Sequence, residues 1–418
     1  MNHNRNNHLP IIIMGAFFFI FGFATWLNGT LIPYLKIACE LSNFQSYFVA
    51  TAFYISYFVM ALPAAWVLKR TGLKNGMMVG LLVMACGAFI FIPAAYTRTY
   101  PLFLTGLFVI GTGLSLLQTA SNPYVTILGP IESAAKRISI MGICNKVAGT
   151  LAPIILSAII LSDADLITNS LTTMSETDKG PFLDALAARV VKPYTIMGFL
   201  LMALAVMVQF SSLPKLNYET ADYDKSATDK RTSVFQFPHL IYGVIALFLY
   251  VGVEVMAGDT ISNFGTDQGI PLSQSKNFTA FTLSAMIIGY IIGILTIPKY
   301  ITQQSALAIS AFIGVVFTLG ALFTSGYTAV LCIALLGLAN AIMWPAIWPL
   351  AIHGTGKFIE TASALLIMAI AGGATLPLLY GWLADLPDFG TQKSYIIMLP
   401  CYAFIAWYAL RGYKKQSY

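Results

Sequence analysis

The sequence predicts an all-α integral membrane protein with twelve transmembrane helices in two six-helix bundles. Composition, the length of the apolar stretches and one long polar segment near the middle carry that expectation. Of 418 residues, 58% are hydrophobic and only 10% charged, and the mean hydropathy is +0.77. A soluble domain with so few polar residues could not cover its surface. The apolar stretches run to about 20 residues, enough at 1.5 Å per residue to cross a hydrocarbon core about 30 Å thick, and they read as helices rather than as a barrel of alternating strands.

The expected spans are 9–35, 44–68, 73–95, 100–124, 138–161, 194–213, 239–261, 278–298, 303–324, 327–352, 361–384 and 394–411. The first follows the polar start MNHNRNNH. It is too long for a signal-peptide core and has no small-residue cleavage site behind it, so it is expected to stay in the mature protein. Twelve spans put both termini on one side. Fifteen Lys and Arg residues fall at the termini and even-numbered loops against seven in the odd-numbered loops, and Lys146, inside the fifth span, completes the 23. That asymmetry predicts cytoplasmic termini.

The net charge of +6 follows from the same topology and points to no nucleic-acid partner. A GxxxxGK[ST] phosphate loop is absent from the sequence, which argues against ATP-driven transport by this chain alone. Cys39, Cys86, Cys144, Cys332 and Cys401 are far apart in apolar surroundings and suggest small core residues rather than a metal site or a disulfide framework. No nucleophile, base and orienting group occur together in the spans, so an enzyme is not expected.

Residues 214–238, PKLNYETADYDKSATDKRTSVFQFP, divide the chain into an N-terminal bundle (1–213), a cytoplasmic linker and a C-terminal bundle (239–418). A weak internal echo agrees with duplication: the fourth span contains QTASNP and the tenth NAIMWP, each an amide followed five residues later by proline. Two such bundles describe a secondary transporter that rocks around a site near the midplane.

Polar residues inside apolar spans mark the candidate site. Glu254, in FLYVGVEVMAGDTI, is the strongest, because an ionisable group in hydrocarbon costs from roughly 3 to over 10 kcal/mol unless it faces a cavity or a partner. It is either a titrating or cation-binding group, or a carboxyl neutralised by Lys146 or held protonated as a brace. Lys146 is either that ion partner or a side chain that snorkels to a helix end. Asp259 lies about 140° around the same helix, near its end, and is expected to be a rim or cap residue.

Gln118 and Asn122 share a helix face at i and i+4. With Asn28, Asn145 and Asn340 they form a sparse set of amides, each equally readable as glue between helices. Together they favour a neutral, hydroxyl-rich ligand, since an amide both donates and accepts. Trp344 and Trp348, in phase with Asn340, form an aromatic stripe suited to stacking on a sugar ring or to core packing; Trp26 and Phe21 on the first span are similar.

The stretches FATWLNGTLIPYLK, LLQTASNPYVTILGP, FLYVGVEVMAGDTI and IMAIAGGATLPLLYGWLAD resemble the fucose/glucose/galactose permease family of the major facilitator superfamily, nearest its bacterial glucose/galactose transporters, from about Gly15 to Arg411. The resemblance implies uptake of a monosaccharide across a bacterial inner membrane by a functional monomer with no cofactor, usually driven by a cation gradient. The helix 1 aspartate of the fucose permeases is replaced here by Gly29, and their helix 4 glutamate by Gln118. A family asparagine matches Asn145, a nearby glutamine is replaced by Gly142 and a small neighbour by Lys146. The glutamate of the glucose/galactose branch matches Glu254, which is then the best remaining intramembrane acid. Sodium symport, proton symport through Glu254 and facilitated uniport all remain open, as do fucose or N-acetylglucosamine as substrate; a channel is the non-carrier alternative.

Overall fold

The computed structural model describes residues 9–127, 134–211, 232–355 and 358–415. Twelve helices in it are long and apolar enough to span a membrane: α1 (Ile11–Ala38), α2 (Asn43–Ala61), α3 (Arg70–Tyr96), α4 (Tyr100–Ser121), α5 (Ile140–Ile160), α6 (Glu176–Phe210), α7 (Pro238–Asp259), α8 (Leu272–Thr296), α9 (Gln303–Phe323), α10 (Gly326–Ile352), α11 (Thr361–Ala384) and α12 (Gly390–Leu410). Each expected span has its counterpart. The sixth and the eighth begin the furthest ahead of expectation. A largely polar helix, Glu176–Ala187, runs into α6, and a short turn of helix, Leu272–Ser275, precedes the main body of α8. The division at 214–238 falls largely on residues 212–231, which lie outside the described residues.

Helices α1–α6 form one bundle and α7–α12 the other. Within the first, α1 packs on α5, and α3 packs on α4 and α6. Lipid offers no hydrophobic drive between apolar helices, so small residues that let backbones approach carry the packing. Gly80 and Gly113 do so between α3 and α4, where a Cβ on Gly113 would stand 2.4 Å from the Gly80 carbonyl oxygen. The two bundles meet mainly where α5 packs on α8 and α2 on α11. Phe210, Phe323, Phe312 and Leu295 stand out among many exposed apolar side chains, an arrangement that suits lipid and not water.

Three breaks in the helices position functional side chains. The first lies at Leu27, between the helical segments Leu9–Trp26 and Asn28–Ala38. A second, at Thr260, ends α7 just after Asp259. The third separates Asn340 from Met343 in α10. Pro345 explains it, because proline has no N–H to bond the carbonyl four residues back and its ring clashes there.

Candidate functional site

Lys146 on α5 reaches across the bundle interface to Glu254 on α7, with Nζ donating to Oε1 at 2.8 Å. Both residues are 8% exposed. Of the two readings of Lys146, the ion partner is the one the structure adopts. The ammonium also lies 4.8 Å from the centre of the Trp26 ring, a distance at which the ring face attracts a cation. Trp26 is held between the halves: a Cβ on Gly149 of α5 would stand 2.4 Å from its Cδ1, and one on Gly258 of α7 would stand 2.3 Å from its Cζ3. Glycine at both positions makes room for the indole.

Around Glu254 the C-terminal bundle supplies aromatic and amide groups. Tyr250, Tyr290 and Tyr402 lie within its electrostatic reach. Trp344 and Trp348 stack with ring centres 5.5 Å apart and planes at 22°, and Tyr250 lies 6.5 Å from the Trp344 ring. Both indoles are half-buried. Asn340 is buried beside them; its Oδ1 accepts from the Tyr402 hydroxyl at 2.9 Å while its Nδ2 has no partner.

The N-terminal bundle contributes Gln118 on α4 and Asn145 on α5, both half-buried. Among the described residues neither side chain makes a hydrogen bond. Asn28 is wholly buried at the α1 break, and both its amide atoms lack partners. The side chain of Asn122 lies outside the described residues.

Asp259 departs from expectation. It is not a rim residue: it is 0% exposed, with neither carboxyl oxygen hydrogen-bonded. Trp26 of α1 and Thr279 of α8 pack against the neighbouring Gly258, a burial that helical phase alone does not show.

Sequence reasoning passed over Tyr250, Tyr290 and Tyr402. Tyr250 had a readable signal, four residues before Glu254 and so on the same helix face. Tyr290, in MIIGYIIG, and Tyr402 show only as polar hydroxyls in apolar runs.

The sequence pattern of the Major Facilitator Superfamily matches residues 14–376. The chain belongs to that superfamily. It is 35% identical to a glucose/galactose transporter of Brucella abortus, over 98% of this chain and 96% of that protein. It is 28% identical to the L-fucose-proton symporter of Escherichia coli, over 96% of this chain and 92% of the relative. The crystal structure of the superfamily transporter FucP in the outward conformation superposes with a TM-score of 0.73 at 27% identity, covering 97% of this chain and 99% of the other. A D-xylose-proton symporter structure, at 16% identity and a TM-score of 0.71, shares the fold.

This facilitator is closed at the face formed by its odd-numbered loops. Asp385, after α11, accepts the backbone N–H groups of Asn43 and Phe44 at 3.1 and 2.8 Å. Thr51 Oγ1 donates to the Ala374 carbonyl at 2.8 Å, and Asn263 Nδ2 to the Tyr47 hydroxyl at 3.4 Å. On the other flank Ser157 Oγ donates to Asn277 Oδ1 at 2.7 Å, Lys276 Nζ to the Leu161 carbonyl at 2.6 Å and the Ser273 N–H to Asp165 at 3.1 Å. Between described residues, no hydrogen bond or ion pair joins the bundles nearer the termini than Lys146–Glu254. The candidate groups therefore lie beneath a sealed face.

Proposed function

We propose that this facilitator is a cation-coupled symporter for a neutral hexose of the glucose/galactose kind, working by alternating access in a bacterial inner membrane with both termini in the cytoplasm. The observation that carries the reading is the pair of half-buried amides on one bundle, Gln118 and Asn145, without hydrogen bonds among the described residues, together with the stacked half-buried Trp344 and Trp348 on the other. Amides that donate and accept suit hydroxyls, and indole faces suit the C–H faces of a sugar ring. The names of the relatives point the same way.

In this reading a functional monomer moves residues 1–213 against 239–418, with 214–238 as the tether, and the closed odd-loop face is the outer one, so the state described faces the cytoplasm. Asn28, Gln118, Asn122, Asn145 and Asn340 bond sugar hydroxyls, Trp344 and Trp348 stack on the ring, and Glu254 holds a hydroxyl or responds to the coupling ion, sodium or proton. No bound cofactor is needed. A second reading, facilitated uniport, is favoured by one observation: Lys146 already neutralises Glu254.

Purified protein screened against glucose, galactose, fucose, mannose and N-acetylglucosamine tests the substrate. Proteoliposomes under imposed sodium or proton gradients then test coupling. Saturable counterflow of labelled hexose, with accumulation under one gradient, is the expected result. Counterflow indifferent to both gradients would select uniport, and flux without counterflow would select a channel.

A further inference from the structure

We propose that Asp259 is a proton-binding site that controls closure of the outer face: the face seals only when the Asp259 carboxyl carries a proton taken from external water. The proposal rests on the reading of this chain as an alternating-access carrier whose odd-loop face is external, and it adds a site outside the sugar-contacting groups.

The geometry points to it in three ways. In the closed form Asp259 is 0% exposed and neither oxygen finds a hydrogen-bond partner, although Lys146, well inside α5, is bonded to Glu254 five residues away. An isolated ionised carboxylate in such a place carries a large desolvation cost, whereas the neutral acid carries a small one. Asp259 is also the last residue of α7, at the negative end of the helix dipole, which disfavours a negative charge. Finally, it lies near elements that must part when the face opens. Tyr47 and Tyr54 of α2 lie within its electrostatic reach. Tyr54 packs against Gly373 of α11, where a Cβ would stand 3.0 Å from the Tyr54 ring, and Tyr47 is bonded by Asn263.

The exchange is simple and balanced. With the face open, the carboxylate takes a proton from hydronium, forming one O–H bond and leaving water. Closure then buries a neutral acid. Asn28, Ser262 and Tyr54, each with an unpartnered polar side-chain atom, are buried on α1, after α7 and on α2. A proton is favoured over a metal cation because it neutralises the carboxyl without a coordinating shell.

Asp385, which accepts the Asn43 and Phe44 N–H groups across the same face, is controlled for by the Asp259→Asn variant, in which it is retained. Glu254 is paired with Lys146. Tyr47 and Tyr54 on α2, Tyr380 on α11 and Tyr395 on α12 are phenols, whose ordinary range lies well above the assay window. At the same face Asp165 is held below the ordinary carboxylate range by its bond from Ser273, so it stays ionised throughout a window from about pH 5 to about 8.

The test uses the full chain in liposomes, with spin labels on the loop before α2 and the loop after α11, and reads the closed fraction against external pH. In the wild type the closed-to-open ratio should rise as pH falls, by at most about tenfold per pH unit for one proton. Asp259→Asn, neutral at every pH, should be closed across the window with no pH dependence. A wild-type ratio independent of pH overturns the proposal whether or not the variant folds. So does an Asp259→Asn variant that retains the wild-type profile, or closure that follows sodium at fixed pH. Hexose binding by tryptophan fluorescence separates the two readings: pH-dependent closure with no hexose bound fails the substrate assignment alone, and hexose binding with pH-independent closure fails this one alone.

Discussion

Lys146 and Glu254, 108 residues apart in sequence, form a 2.8 Å ion pair inside the membrane spans, and the pair joins the two bundles. Each side chain is about 10% exposed. Desolvation of two charges offsets much of their attraction, so the pair adds little net stability, yet removing one partner strands the other at a cost of about 3–5 kcal/mol.

Lys146→Met and Glu254→Leu should therefore each lower the melting temperature in detergent, and the double variant should recover most of the loss. A double variant as unstable as the sum of the singles would show that the pair is not the coupled unit described. In transport, Glu254→Gln should abolish uphill accumulation while hexose exchange stays measurable. Accumulation that persists in Glu254→Gln removes the residue from coupling.

Gln118→Ala and Asn145→Ala should each weaken hexose binding by about 1–3 kcal/mol, roughly 5- to 150-fold, because a sugar hydroxyl loses its partner. Both side chains are free of described protein bonds, so folded yield should hold. Isothermal titration with the best hexose checks the pair, and unchanged affinity in both would overturn the site as drawn.

The stacked indoles can be separated. Trp344 touches the Tyr250 cluster beside Glu254 while Trp348 lies one turn further along, so Trp344→Ala should weaken hexose affinity more than Trp348→Ala. If both bind hexose normally and only melt earlier, the stripe is core.

Gly258→Ala tests how Trp26 is held. The added methyl would stand 2.3 Å from the indole, and overpacking of this kind costs about 1–3 kcal/mol. A fall in melting temperature together with a shifted Trp26 fluorescence is expected; Trp26→Phe in the same background should relieve it. No relief would locate the strain elsewhere.

Just after α5, Asp163 accepts bonds from Arg189 on both oxygens, with Nη2 to Oδ2 at 2.9 Å, and the guanidinium holds that carboxyl below its usual range. A lowered native value means the contribution is fully present above the unfolded value near 4 and is lost as pH falls through the native one. Melting temperatures followed downward from about pH 6 should show an acid-side slope in the wild type that is shallower in Asp163→Asn. Equal slopes would exclude the pair as its source.

The twelve helices were legible because partition into lipid depends on the apolar length of each segment alone, and every expected span is present. Glu254, Asn340 and the two tryptophans were visible for the same reason, as costly or unusual groups in apolar runs. What the tertiary structure decided was which of these meet. Lys146 lies seven residues into α5 and Glu254 near the end of α7, and only helix rotation and tilt bring them together. The same packing buried Asp259, which helical phase had placed at a rim, and recruited Trp26 through two glycines on different helices. Contacts of this kind depend on where the helices break, at Leu27, Thr260 and Asn340–Met343, and on how closely small residues let them approach, and neither is a property of one span.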